Sequence, residues 1–227
     1  MAATNQRPAA LLPVRLLLAC TIFGPLTASS LEAQSCLGFS GDGFIGAAGA
    51  TRREWSYTMT GFGGSGGLRI GRVGAVASYL KFSGTDEFGQ TFGFQNFRAT
   101  VGYEAITSSL SLCPVLTIGS EGVSSRDSRS LPYSSKPIFG GGLALGRRFS
   151  APNSALAMIP SLIVTAEGHE VERLIEGDIQ IRSRGMATVV QGGVTVEFGR
   201  VLVRPYVALV AVDNGWLRAG VRFGLTF

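Results

Sequence analysis

The chain has one histidine, His169, and three cysteines, Cys20, Cys36 and Cys113. One imidazole cannot furnish a multi-histidine metal site, and the cysteines show no zinc-ligand spacing. No segment carries the 18 or more consecutive apolar residues of a membrane-spanning helix. No stretch beyond residue 35 keeps a 3.6-residue apolar period over three turns, and 32 glycines spread along the chain disfavour helices. Charged residues make up only 15%, and mean hydropathy is +0.29. Without a spanning helix, that value is high for a soluble protein and suits a wall whose outer face is apolar.

What is present is a period of two, clearest at the C-terminal end. Leu217, Ala219, Val221, Phe223, Leu225 and Phe227 alternate with Arg218, Gly220, Arg222, Gly224 and Thr226. One strand face is apolar and the other small or charged, the pattern of a transmembrane β-barrel wall with its apolar side outward. The terminal phenylalanine, with Phe223 and Leu225 on the same face, resembles the C-terminal signal that bacterial outer-membrane barrels present to their assembly machinery.

The other end reads as an export signal over residues 1–35. Arg7 and Arg15 precede a short apolar stretch from Leu16 to about Ala28, and Ala33-Gln34-Ser35 fits a signal-peptidase site. Removing these residues, which also hold Glu32, leaves 192 residues with a net charge of +4, one domain's worth of chain. The positive charges sit singly along strands and loops, with no basic run interleaved with aromatics, so nucleic acid is not an expected partner.

Ten strands are predicted, at 37–50, 61–71, 73–83, 93–105, 109–119, 138–148, 155–167, 184–198, 200–211 and 215–227. Reading the glycine-rich 57–70 stretch as loop would reduce the count to eight. Connections near 72, 106–108, 149–154 and 199 are short. Those near 51–60, 84–92, 120–137 and 168–183 are longer and more polar, the alternation of periplasmic turns and external loops. Asp213-Asn214-Gly215 is a tight hairpin signal because Asn-Gly accepts positive φ. The expected fold is an all-β, antiparallel up-and-down barrel.

The alternation assigns faces on several strands. Met186, Val190, Val194, Val196 and Phe198 oppose Gln191, Thr195 and Glu197; Phe97, Ala99, Val101 and Tyr103 oppose Asn96, Arg98, Thr100 and Glu104; and Leu110, Leu112, Leu116 and Ile118 oppose Ser109, Ser111, Cys113 and Thr117. Strands 73–83 and 155–167 alternate too poorly to assign. Tyr103, Phe198, Phe223 and Phe227 fall near one end on outward faces, as a membrane-interface girdle requires. The inward charges are Asp42, Arg69, Arg98, Glu104, Glu197, Arg204, Arg218 and Arg222. A barrel of eight to ten strands is barely wider inside than its side chains. Such charges must pair or meet water, so a salt-bridged network plugging the lumen is expected; the alternative is a narrow anion-preferring pore.

Three motifs resemble catalytic or binding signatures without their context. Gly61–Gly66, GFGGSG, matches a dinucleotide-binding pattern but is followed by strand-like sequence instead of a helix. The overlapping Gly63–Gly67 matches a nucleophile elbow around Ser65, again without the required turn into a helix. His169 lies among Glu167, Glu170, Glu172, Glu176 and Asp178, a set that fits no zinc or calcium loop and reads as a solvated external loop. No catalytic residue, cofactor or metal is expected.

Cys20 is lost with the export signal, leaving Cys36 and Cys113 for an oxidising compartment. Three states are open to them: a disulfide tying the mature N-terminus to the barrel interior, lipidation of Cys36 after a poor lipobox, or two free thiols.

The pattern as a whole resembles small bacterial outer-membrane barrels of the OmpA/OmpX type over nearly all of residues 36–227. The resemblance rests on export signal, alternation and terminal phenylalanine, and carries no site residues with it. It implies residence in the outer membrane, contact with its lipid and lipopolysaccharide, use of the barrel-assembly machinery, a monomeric state, and a structural, surface-interaction or adhesin-like role. Two other classes compete with it: an outer-membrane lipid-modifying enzyme using His169, and a soluble lipocalin-like barrel, which would reverse the faces.

Overall fold

Ten antiparallel strands follow one another around a closed ring. The computed structural model describes residues 36–54, 57–85, 91–107, 110–125, 136–150, 154–175, 179–211 and 216–227. The wall strands are β1 (Gly43–Glu54), β2 (Tyr57–Ile70), β3 (Val73–Thr85), β4 (Thr91–Tyr103), β5 (Ser111–Ser125), β6 (Lys136–Gly146), β7 (Leu156–Ile175), β8 (Ile179–Phe198), β9 (Val201–Ala211) and β10 (Leu217–Thr226). Each pairs with its sequence neighbour, and β10 closes on β1 in register from Phe44 opposite Thr226 to Arg53 opposite Leu217. Gly43 and Phe227 exchange backbone hydrogen bonds of 3.2 and 3.1 Å at the seam. The ring is therefore ten strands, and the glycine-rich 57–70 stretch is wall, not loop. Two-residue ribbons at Ile106–Thr107 and Phe149–Ser150 decorate the short connections.

Cys36, Phe227 and the short turns share one mouth, here the terminal mouth. Two of its turns pivot on Gly71 and Gly199, both at φ +59°, where a side chain would be strained. At the far mouth the strands run on through much of what reads as loop in sequence. β1 continues to Glu54 and β2 begins at Tyr57, while β7 and β8 stay paired out to Ile175 opposite Ile179. Backbone pairing needs no apolar outward face once the ribbon leaves the wall, so polarity there does not mark a loop. Asp213-Asn214-Gly215 and residues 1–35 lie outside the described residues.

Burial follows the period of two around the ring. Outward positions carry the exposed large apolar residues: Phe62, Leu68 and Ile70 on β2, Val73 and Tyr79 on β3, Phe97, Val101 and Tyr103 on β4, and Leu217, Phe223 and Leu225 on β10. The belt stops at polar residues: the outward pair beyond Tyr79 and Phe97 is Lys81 opposite Gln95. The two strands with unassigned faces resolve as well. Leu80 and Phe82 of β3, and Ala157, Ile159, Ser161, Thr165 and Glu167 of β7, are buried inside.

Glycines make room for rings in this narrow interior. Phe82 occupies the space a Gly61 side chain would take, Phe44 that of Gly67, and Tyr206 that of Gly220. The GFGGSG run is thus the thin part of the β2 wall, and among the described residues no helix follows it.

The predicted first strand departs from the structure at its start. Residues 36–40 do not join the wall but turn into the lumen, with Leu37 and Phe39 at most 1% exposed. Gly38 makes the turn at φ +82°, and a side chain there would collide with the Arg204 guanidinium. Leu37 and Phe39 alternate with Gly38 and Ser40 as a strand would, which is why the sequence pattern extends across them.

Candidate functional site: the sealed lumen

At the terminal mouth the inserted N-terminal segment fills the interior. Cys36 is joined to Cys113 of β5 by a disulfide, with Cα atoms 6.1 Å apart. Leu37, Phe39, Phe44, Val115, Ala144 and Leu202 pack around it as an apolar layer, with Phe39 and Phe44 edge to face at 5.3 Å. The segment's polar groups are met from the wall. Arg204 donates to the Leu37 carbonyl (2.5 Å) and to the Ser161 hydroxyl (2.8 Å), and Thr195 donates to the Gly38 carbonyl (2.5 Å). The Ser40 amide donates to one Glu197 oxygen (3.1 Å) and its hydroxyl to the other. Sequence reasoning allowed for a tethered N-terminus; that the segment forms a plug was not foreseen.

The middle layer is ionic. Arg98 reaches Glu167 at 2.6 Å, and Thr165 donates to the other carboxylate oxygen at 2.8 Å. Glu167 is fully buried. It lies on the inner face of β7, as the end of the predicted strand 155–167 and not as part of the solvated loop expected around His169. Thr100 and Thr117 hydroxyls sit 3.1 Å apart, and the Arg222 guanidinium lies 4.9 Å over the Tyr206 ring.

Toward the far mouth a third layer stacks cations on rings. Arg52 sits between Phe94 (4.4 Å) and Trp216 (4.5 Å), and Arg218 lies 4.6 Å from the same indole. Glu121 pairs with Arg52 at 3.5 Å and accepts from Asn96 at 2.7 Å, while the Asn96 carbonyl accepts from Arg218 at 3.1 Å. Desolvated cation–π contacts and charge-assisted hydrogen bonds of this kind offset the burial of the guanidiniums.

The eight charges predicted to form one network are distributed over these layers. Arg98, Arg204, Arg218 and Arg222 are lumenal, and Glu197 holds the plug. Glu104 is buried near the terminal mouth. Asp42 and Arg69 pair at 3.3 Å, but the Asp42 side chain is 81% exposed, so this pair sits on the rim outside the lumen. Arg52, Glu121, Glu167, Tyr206 and Trp216 are lumenal residues the sequence reading missed. Three were detectable by continuing the alternation: Arg52 follows Ala48 and Ala50, Glu121 follows Val115 and Thr117, and Glu167 follows Ser161 and Thr165 on their inner faces. The outward set Phe223, Leu225 and Phe227 is exposed beside the seam. The side chain of His169 lies outside the described residues. Among those described, no group of histidine, cysteine or acidic residues is placed to hold a metal.

No protein-family model matches this chain, and no curated protein matches it. Solved structures do. The β domain of the Bordetella autotransporter BrkA aligns at 14% identity over 82% of this chain and 99% of that one, with a TM-score of 0.46. The N-terminal β-barrel domain of Pseudomonas aeruginosa OprF aligns at 13% over 82% and 98%, with a TM-score of 0.38. The translocator domain of the Neisseria meningitidis autotransporter NalP aligns at 11% over 82% and 88%, with a TM-score of 0.35. At such identities and TM-scores the architecture of this chain rests on its own strand pairing.

Proposed function

We propose that this protein is an integral barrel of the bacterial outer membrane, a wall protein with a sealed lumen that presents its far-mouth ribbon to the exterior. The observation that carries the reading is the sorting of side chains across the wall. Leucine, valine and phenylalanine cover the outside, while the buried arginines, glutamates and threonines all lie inside, between the apolar clusters of the interior. A soluble barrel would reverse that order. Even the shortest wall strand, β10 with 10 residues, has the roughly 9–11 that a tilted strand needs to span a bilayer.

In this reading the outward rows meet lipid and, at the far mouth, lipopolysaccharide. Phe223, Leu225 and Phe227 are the face offered to the assembly machinery, and the barrel works as a monomer. The lumenal charges serve structure and not catalysis: Arg98, Arg204 and Arg218 bond to wall or plug groups. The excess of arginine favours a second reading, an anion-preferring pore, but the plug held by Cys113, Arg204, Thr195 and Glu197 stands across that path.

Fractionation of expressing cells tests the location. The protein is expected in the outer-membrane fraction, with different gel mobility before and after boiling, because a closed hydrogen-bonded barrel resists detergent until heated. Recovery as a soluble periplasmic monomer would overturn the reading.

A further inference from the structure

Between the plug and the far-mouth stack lies a cavity of about 30 Å³, lined by Arg98, Arg204 and Arg222 against the single carboxylate of Glu167. Glu167 is engaged by Arg98 and Thr165. No carboxylate pairs with Arg204 or Arg222 among the described residues, and both side chains are more than nine-tenths buried. The Nε atoms of Arg98, Arg204 and Arg222 are buried without a hydrogen-bond partner. The contact Arg222 does make, with the Tyr206 ring, is weaker than the penalty for burying an uncompensated cation.

The neutral groups on the wall are also donors. Thr100 and Thr117 share one hydrogen bond, which uses one of their two hydroxyl hydrogens and leaves the other for a further acceptor. Ser78 and Gln191 line the same space. Water can satisfy these donors, but a neutral molecule leaves three cations facing one anion. The volume exceeds what one water needs, so a monatomic anion has room there.

We propose that this cavity binds a small monovalent anion of chloride size between Arg204 and Arg222. The site requires only the barrel interior and stands whether or not the barrel's cellular role is as read above.

The test uses protein purified from membranes, unfolded in urea and refolded into detergent with bromide as the sole halide. Crystals measured at the bromine absorption edge are expected to show an anomalous peak between Arg204 and Arg222. Bromide confined to the protein surface, or no peak, would overturn the proposal. In parallel, unfolding is followed in sodium bromide and in sodium gluconate at equal ionic strength, gluconate being too large to enter. At a halide concentration ten times the dissociation constant the folded-to-unfolded ratio should rise about elevenfold. Arg222→Met should reduce that response to less than about twofold, and an unchanged response in Arg222→Met would also overturn the proposal. If that variant fails to fold, the bromide map of the unaltered protein decides alone.

Discussion

Arg204 on β9 binds the backbone carbonyl of Leu37 at 2.5 Å, so a wall cation clamps a segment that does not belong to the wall. The disulfide from Cys36 to Cys113 fixes the same segment by a covalent route. The two restraints differ in kind. The disulfide closes 77 residues of separation and limits the unfolded chain, while the arginine satisfies polar groups of the folded plug.

Removing the covalent restraint should therefore cost stability without opening the barrel by itself. Cys36→Ser/Cys113→Ser is expected to lose about 2–5 kcal/mol of unfolding free energy, measured as a lowered urea midpoint in detergent. Adding Arg204→Met should release the plug. Limited proteolysis would then cut near Leu37 in the triple variant and not in the double one. Equal cleavage in both would show that Arg204 holds nothing in place.

Arg98 and Glu167 form the buried ion pair of the middle layer. Glu167→Gln leaves the Arg98 charge buried without its counterion and should destabilise by about 3–5 kcal/mol. Arg98→Met/Glu167→Leu, which removes both charges while keeping much of the volume, should recover most of that loss. Failure of the double variant to recover would mean that the pair supports more than its own two charges.

Val221 faces outward and Arg222 inward. Val221→Arg places a cation on the apolar face and should cost about 2–4 kcal/mol if that face meets the bilayer midplane. Cysteines introduced singly at the two positions give the sharper measurement. Val221→Cys should react with a lipid-soluble maleimide and be shielded from a water-soluble one; Arg222→Cys should resist the lipid-soluble reagent. The alternation places Arg222, Glu197 and Asp42 in one expected lumenal network. Those carboxylates engage Ser40 and Arg69 instead, so Arg222→Val should strand neither.

Phe227 closes the seam against Gly43 through backbone bonds, and its ring lies over that glycine. Deleting Phe227 should lower the yield of heat-modifiable barrel and raise envelope stress while export continues. Normal assembly of the shortened chain would remove Phe227 from the assembly signal.

The wall was legible because lipid-type burial imposes a period of two, and β10 shows it without interruption from Leu217 to Phe227. Ten strands followed from that alternation and from the spacing of polar breaks. The plug was not legible, since Leu37-Gly38-Phe39-Ser40 alternates as a strand does and only the packing around Gly38 shows the turn. Glu167 was misplaced for the opposite reason. Its neighbours His169, Glu170 and Glu172 are polar, which reads as loop, yet β7 stays paired with β8 well past it. Partner choice among Arg98, Arg204 and Arg222 depends on register across strands far apart in sequence, and alternation fixes only the face.

The central claim is a sealed lumen, and single-channel recording in planar bilayers tests it most directly. Oxidised protein of native sequence should insert without conductance steps, because the plug of Leu37 and Phe39, held by the disulfide and Arg204, blocks the path. Under reducing conditions, Arg204→Met should release the plug and give small anion-selective steps. Steady ohmic steps from the oxidised native protein would contradict the account and establish the pore.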